Sequence, residues 1–98
     1  MEKRKEPRKN ESLVVTINGR DKSGQHFLEQ VVASSLSRSG ALLSGMSKEL
    51  RCGDVILVEY GAKNGRFKIV WLRNSQSHKL IQAAIHLVKN EDCPWADI

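Results

Sequence analysis

The stretch that decides the fold runs from residue 54 to residue 73 and reads DVILVEY, GAKNG and RFKIVWLR. Its first run is short and rich in β-branched residues, which favours a strand over a helix. In its last run Phe67, Ile69 and Trp71 alternate with residues 68, 70 and 72, which is the period of a strand. Asn64-Gly65 between the runs is a strong hairpin cue. The stretch therefore predicts two antiparallel strands joined by a loop at 61–65.

Runs of the same kind lie on both sides of this hairpin. Three earlier strands are predicted at 13–17, 26–36 and 41–43, with a serine-rich turn at 34–39 and a short helical turn at 46–50. The run 80–88 has a period of two, although its alanines also suit a helix. We interpret it as a strand because the preceding strands need an antiparallel partner. About six short strands with little helix predict an all-β domain, either a small antiparallel barrel or a sandwich.

The chain divides by composition into three parts. Residues 1–11 carry almost no apolar side chain and five basic ones, so they are expected to form a flexible basic arm. The barrel is expected at 12–89. A tail follows at 90–98, where Pro94 ends any regular element and Trp95 is expected to pack the tail onto the barrel.

Charge and composition narrow the class of protein. The net charge of +5 suggests an anionic partner, which could be a phosphate compound, a nucleic acid or a membrane surface. No long apolar run is present, and the basic start is not followed by an apolar stretch, so neither a membrane span nor a secretory signal is expected. Cys52 and Cys93 have no metal-ligand spacing, which favours free thiols in a reducing cytoplasm and no bound metal. The three histidines are scattered, so no enzyme is expected.

Two polar motifs are candidate binding elements. The first is Arg4 and Arg8 in an Arg-x-x-x-Arg spacing, where each guanidinium offers a planar set of donors that suits phosphate or a guanine edge. Neighbouring cations are possible secondary contacts: Lys3, Lys5 and Lys9. An arm of this kind is otherwise simply solvated.

The second motif is the segment from Ser35 to Gly40, which lies between two predicted strands. The hydroxyls of Ser35 and Ser37 are candidate ligand contacts, and Arg38 is a possible secondary one. Gly40 allows a close approach or a positive φ. The alternative is an ordinary turn whose serines bond to their own backbone.

Together the two motifs resemble those of the PilZ domain family. In that family an Arg-x-x-x-Arg motif is followed by a second motif, [Asp or Asn]-x-Ser-x-x-Gly. The likeness spans roughly residues 2–88. It continues through three further segments: Ser37-Arg38-Ser39-Gly40-Ala41-Leu42-Leu43, Leu50-Arg51-Cys52-Gly53-Asp54-Val55 and Lys68-Ile69-Val70-Trp71.

The resemblance implies a six-stranded antiparallel β-barrel that serves as a bacterial, cytoplasmic receptor for the second messenger cyclic di-GMP. By position, Arg4 and Arg8 would hold phosphates and a guanine edge, and Ser35, Ser37 and Gly40 would line the other side of the ligand. No cofactor is implied. Ser35 stands where the family has Asp or Asn, and loss of that acceptor costs about 1–3 kcal/mol, which predicts weaker binding.

Three hypotheses about function follow. The first is a stand-alone adaptor that binds cyclic di-GMP and relays it to a partner protein through ordering of the N-terminal arm. The second, motivated by Ser35, is a degenerate PilZ-like interaction module that binds no nucleotide. The third, motivated by the charge, is a small basic barrel that binds nucleic acid, although few aromatics are available for base stacking.

Overall fold

Six antiparallel strands close into a barrel in this computed structural model, which describes residues 11–74 and 80–96. The strands are β1 Leu13–Arg20, β2 His26–Ser37, β3 Gly40–Met46, β4 Val55–Tyr60, β5 Lys63–Asn74 and β6 Ile81–Leu87. Their order around the barrel is β1-β2-β3-β6-β5-β4. The predicted all-β, six-stranded antiparallel barrel is thus confirmed, whereas the predicted flexible arm lies outside the described residues. In the described part of the chain, no helix is long and apolar enough to cross a membrane.

The barrel interior is filled by the side chains on one face of each strand. Leu13, Val15 and Ile17 of β1 are buried, and the residues between them face outward or are only half-buried. Phe67 and Ile69 of β5 are fully buried in the same core. Burial of each large apolar side chain contributes roughly 1.5–3 kcal/mol. The alternation of apolar and polar residues therefore determines which face of each strand points into the barrel. The predicted helical turn at 46–50 is wrong, because the described chain contains no helix there.

The β4–β5 hairpin turns earlier than predicted. Tyr60 pairs with Lys63, so the loop is only Gly61 and Ala62 rather than 61–65. Gly61 has a φ of +62°, and glycine at the first position of a two-residue loop is what a type II′ turn requires. The Asn64-Gly65 cue was therefore misleading, because both residues lie within β5.

A bulge in β5 reverses the predicted alternation after Ile69. Ile69 pairs with Ile85 and Trp71 pairs with Ala84, so Val70 is an extra residue in the ladder. One extra residue moves every following side chain to the opposite face of a strand. Trp71 is consequently 38% exposed on the outer surface. The alternation of Phe67 and Ile69 therefore does not continue to Trp71.

A second bulge lies in β2 and corrects the predicted serine turn. Ser34 pairs with Leu42 and Ser37 pairs with Gly40, so two residues of β2 oppose one of β3. The strand thus continues to Ser37, and the turn is Arg38 and Ser39 alone. The segment predicted as a turn at 34–39 is mostly strand, because β2 pairs with β3 again at Ser37 after the bulge.

The residues after β6, called here the closing segment (88–96), cover one end of the barrel. Trp95 is 3% exposed, and its ring stacks on Phe67 with centroids 5.2 Å apart. A Cβ at Gly65 would overlap the carbonyl oxygen of Asp92, so glycine in β5 allows this close approach. The expectation that Trp95 packs the tail onto the barrel is confirmed.

An ion pair fastens the start of the closing segment to β5. Arg66 donates to Glu91 from its backbone N–H over 2.9 Å and from its guanidinium over 3.0 Å. The guanidinium bond first and the backbone bond second lower the pKa of the Glu91 carboxyl, and the side-chain bond to Glu91 raises the pKa of Arg66. Exposed ion pairs contribute little to stability, so the main effect of this pair is to orient the closing segment.

Candidate functional site

An open groove of about 430 Å³ lies on the outer wall of the barrel, where the two bulges come near each other across β3 and β6. Its volume is within the range of about 300–1,000 Å³ that small-molecule sites occupy. It is called here the outer groove. It is lined by Ser35, Ser39, Gly40, Ala41, Leu42, Val70, Trp71, Ala84, Ile85 and His86.

Ser35 enters this groove from the β2 bulge. It is half-buried and has a φ of +50°, which non-glycine residues rarely adopt. Such a conformation costs on the order of 1–3 kcal/mol and persists only where surrounding structure holds it. Bulges are often used to redirect a side chain next to a binding site. The strained backbone at Ser35 is thus what brings this residue to the groove.

Ser37 is placed differently from Ser35. Its side chain is 7% exposed, and its hydroxyl donates to the carbonyl oxygen of Gly40 over 3.4 Å. Its own carbonyl accepts from Nε1 of Trp95 at 2.7 Å and from Sγ of Cys93 at 3.8 Å. Ser37 therefore ties the motif to the closing segment and is not among the groove-lining residues. Its predicted contact with a ligand stays a prediction.

Gly40 permits a close approach, as the sequence suggested, but the approaching group is the backbone of β6. A Cβ at this position would overlap the carbonyl oxygen of Ile85. Gly40 pairs with Ser37 on one side and with His86 on the other. The absence of a side chain at Gly40 thus allows β3 to lie close to β6 beneath the groove.

His86 is a groove residue that sequence reasoning set aside. Its Nδ1 lies 3.0 Å from the carbonyl oxygen of Ser39, which also accepts the Leu87 N–H at 2.7 Å. A carbonyl oxygen can only accept, so Nδ1 carries the hydrogen of this bond. Nε2 on the other edge of the exposed ring is then an acceptor in the neutral imidazole. The period of two in 80–88 was the available sequence signal, because it places His86 on the opposite face from Ile81, Ala83 and Ile85.

Trp71 forms the opposite side of the groove on β5. The guanidinium carbon of Arg73 lies 5.6 Å from the centre of the indole ring, which is a cation–π arrangement. The sequence did not assign Trp71 to a ligand surface, because its outward direction follows from the β5 bulge. An exposed indole beside an arginine is a surface on which a flat base can stack.

Two exposed cations lie near the groove. Arg38 is exposed in the β2–β3 turn, and Lys68 is exposed on β5 at the position paired with His86. Paired residues on one face of an antiparallel sheet lie close together, so Lys68 lies beside His86, which lines the groove. An anion is the ligand class that such a rim favours.

The structure brings together part of the predicted site. Ser35 and Gly40 line the outer groove, and Arg38 lies in the adjoining turn. Arg4 and Arg8 lie outside the described residues, as do Lys3, Lys5 and Lys9. Within residues 11–74 and 80–96, no three His, Cys, Asp or Glu side chains converge as a metal site.

The fold defines a small closed β-barrel with an open groove of mixed polar and apolar lining on its outer wall. Comparison with family models, curated proteins and solved structures found no match for this chain.

Proposed function

We propose that this chain binds cyclic di-GMP in the outer groove and relays the bound state to a partner protein. The observation that carries the proposal is the groove itself, in which Ser35 and Gly40 of the second motif lie opposite an exposed Trp71. A hydroxyl, a flat aromatic surface and nearby cations suit a ligand that has both bases and phosphates.

The start of β1 supports a role for the two arginines. Leu13 pairs with Ala33, two residues before Ser35, so the chain leading into β1 joins the barrel beside the β2 bulge. Arg8 precedes Leu13 by five residues in the sequence, and five residues span up to about 17 Å. Five residues are long enough to join Leu13 to the adjacent β2 bulge, which supports the proposed ligand contact of Arg8 and, through a longer connection, that of Arg4.

We propose that these arginines close over the phosphates while a guanine stacks near Trp71. Closure would alter the surface next to β1 and β2, which is the change that a partner protein would recognise. The protein would then be a receptor without catalytic chemistry of its own.

The decisive experiment is titration of the purified chain with cyclic di-GMP by isothermal calorimetry, with cyclic di-AMP as a matched control. We expect saturable binding of the guanine compound and at least tenfold weaker binding of the adenine compound, because the two differ only in the edges that their bases present. Equal binding of both would mean that the groove recognises only charge. Absence of binding would contradict the proposal.

Replacing Ser35 with Asp is expected to tighten cyclic di-GMP binding by about 1 kcal/mol, or roughly fivefold. A carboxylate offers two acceptor oxygens where the hydroxyl offers one. Asp also tolerates the positive φ at this position better than Ser does. The measurement is calorimetric affinity of the variant beside that of the unchanged protein.

The matched control is Ser34→Asp, which adds the same charge one residue earlier in β2. It is expected to weaken binding slightly, because the extra charge repels a dianionic ligand without offering the acceptor. Identical affinities for the Ser34 and Ser35 variants would contradict a specific role for position 35.

The degenerate interaction module remains the second candidate, favoured by the inward placement of Ser37. Its hydroxyl is already bonded to Gly40, so one of the two motif serines is engaged in holding the turn. If neither the unchanged protein nor Ser35→Asp binds cyclic di-GMP, the barrel is better regarded as a protein-binding scaffold.

A further inference from the structure

The outer groove offers few side-chain acceptors to a bound base. Among its lining residues, only Ser35, Ser39, Trp71 and His86 have polar side chains. The indole of Trp71 can only donate, so the serine hydroxyls and the imidazole are the acceptors of this set.

Guanine makes a particular demand on such a surface. Its Watson–Crick edge carries two adjacent donors, N1–H and the N2 amino group, whereas adenine has an acceptor at N1. A protein that selects guanine at this edge needs an acceptor aimed at those donors. A hydroxyl can serve either as donor or as acceptor, and so discriminates weakly. An acceptor whose hydrogen is held elsewhere discriminates better.

His86 meets this requirement through its bond to Ser39. Because Nδ1 donates to the Ser39 carbonyl, the neutral ring is held as the tautomer with an acceptor at Nε2. The same bond restricts rotation of the ring, so the acceptor is pre-oriented at the rim of the groove. Gly40, which pairs with His86 across the sheet, adds no side chain that could cover it.

We infer that His86 is a specificity-determining residue that accepts a hydrogen bond from the N1–H and N2 edge of a guanine in the outer groove. This inference rests on the proposed function and assigns the base-reading role to β6, outside both sequence motifs. Ser35 then supports the ligand from the β2 side, and His86 distinguishes guanine from adenine.

The test compares two substitutions at this position by calorimetry with cyclic di-GMP and cyclic di-AMP. His86→Phe keeps a flat ring but removes both nitrogens, and we expect about tenfold weaker binding of cyclic di-GMP. Binding of cyclic di-AMP is expected to change less than threefold, so the preference for guanine falls. His86→Gln places an amide oxygen near the position of Nε2, and we expect it to retain affinity within about threefold of the unchanged protein.

The control is His26→Phe, since His26 is also exposed on a strand but bonds to Asn18 Oδ1 over 2.6 Å and does not line the groove. It is expected to leave both affinities unchanged. Thermal unfolding of each variant separates a loss of binding from a loss of fold.

Three results would overturn the inference. Unchanged cyclic di-GMP affinity in His86→Phe would exclude a contact, although the proposed function would stand. Equal losses in the Phe and Gln variants would mean that His86 acts only by holding Ser39. Absence of cyclic di-GMP binding by the unchanged protein would remove the proposed function and this inference together.

Discussion

Arg8→Ala is expected to weaken cyclic di-GMP binding by ten- to a hundredfold or more. A charge-assisted hydrogen bond contributes about 1.5–3 kcal/mol, and an arginine can make two such bonds to one phosphate. The fold is expected to survive, because Arg8 belongs to a segment whose side chains are almost all polar. Calorimetric affinity and the midpoint of thermal unfolding measure the two quantities separately.

Lys9→Ala is the matched control, because it removes the same unit of charge from the adjoining residue. Its loss of affinity is expected to be several times smaller, since an ammonium group cannot form the bidentate pair. Arg8→Lys is expected to behave like Arg8→Ala for the same reason. Equal small losses at Arg8 and Lys9, with a steep dependence on salt, would instead favour the nucleic-acid hypothesis.

Trp95→Ala is expected to lower the free energy of unfolding by about 3–5 kcal/mol, the usual effect of removing a buried aromatic side chain. The substitution leaves a cavity over Phe67 and also deprives the Ser37 carbonyl of its indole donor. For a chain of this size the midpoint is expected to fall by roughly 12 °C or more. Denaturant unfolding followed by circular dichroism provides the measurement.

Two variants make this expectation specific. Trp95→Phe keeps an aromatic ring over Phe67 but loses the N–H donor and part of the ring, so a smaller loss of about 1–2 kcal/mol is expected. Trp71→Ala removes the same side chain from the exposed bulge of β5, and a change of about 1 kcal/mol or less is expected. If Trp71→Ala destabilised the protein as much as Trp95→Ala, the assignment of Trp71 to the outer surface would be wrong.

The strands could be predicted from the sequence because burial of one face of a strand gives an alternation of apolar and polar residues. Inward residues such as Val15 and Ile17 alternate with residues that face solvent. The run 80–88 has the same period, and the need for an antiparallel partner decided in favour of a strand despite its alanines. The number of strands and their antiparallel pairing followed from these runs. Barrel closure came from the family resemblance, since the pairing of β1 with β4 joins residues far apart in the chain.

The irregular positions could not be predicted in the same way. A bulge adds one residue to a strand without changing local composition, so nothing around Val70 indicated that Trp71 would turn outward. Asn64-Gly65 has the composition of a turn, but Gly65 is needed for the approach of Asp92 from the closing segment. Both effects depend on contacts with distant parts of the chain.

The candidate site shows the same division. Ser35 and Gly40 were identified from their motif, and both line the outer groove. His86 and Trp71 were not identified as groove residues. Each is a single residue on a strand, and its place in the groove depends on its neighbours across the sheet. Pairing of β6 with β3 and β5 is what brings them beside the motif.

The order of the strands has a consequence for how the protein is made. β6 is the last strand to be synthesised, yet it lies between β3 and β5 and hydrogen-bonds to both. Until residues 81–87 have left the ribosome, the nascent barrel has a gap bordered by two rows of unpaired backbone groups. Such open edges invite pairing with other chains. The interval between synthesis of β5 and insertion of β6 is therefore when a chaperone would protect this chain most.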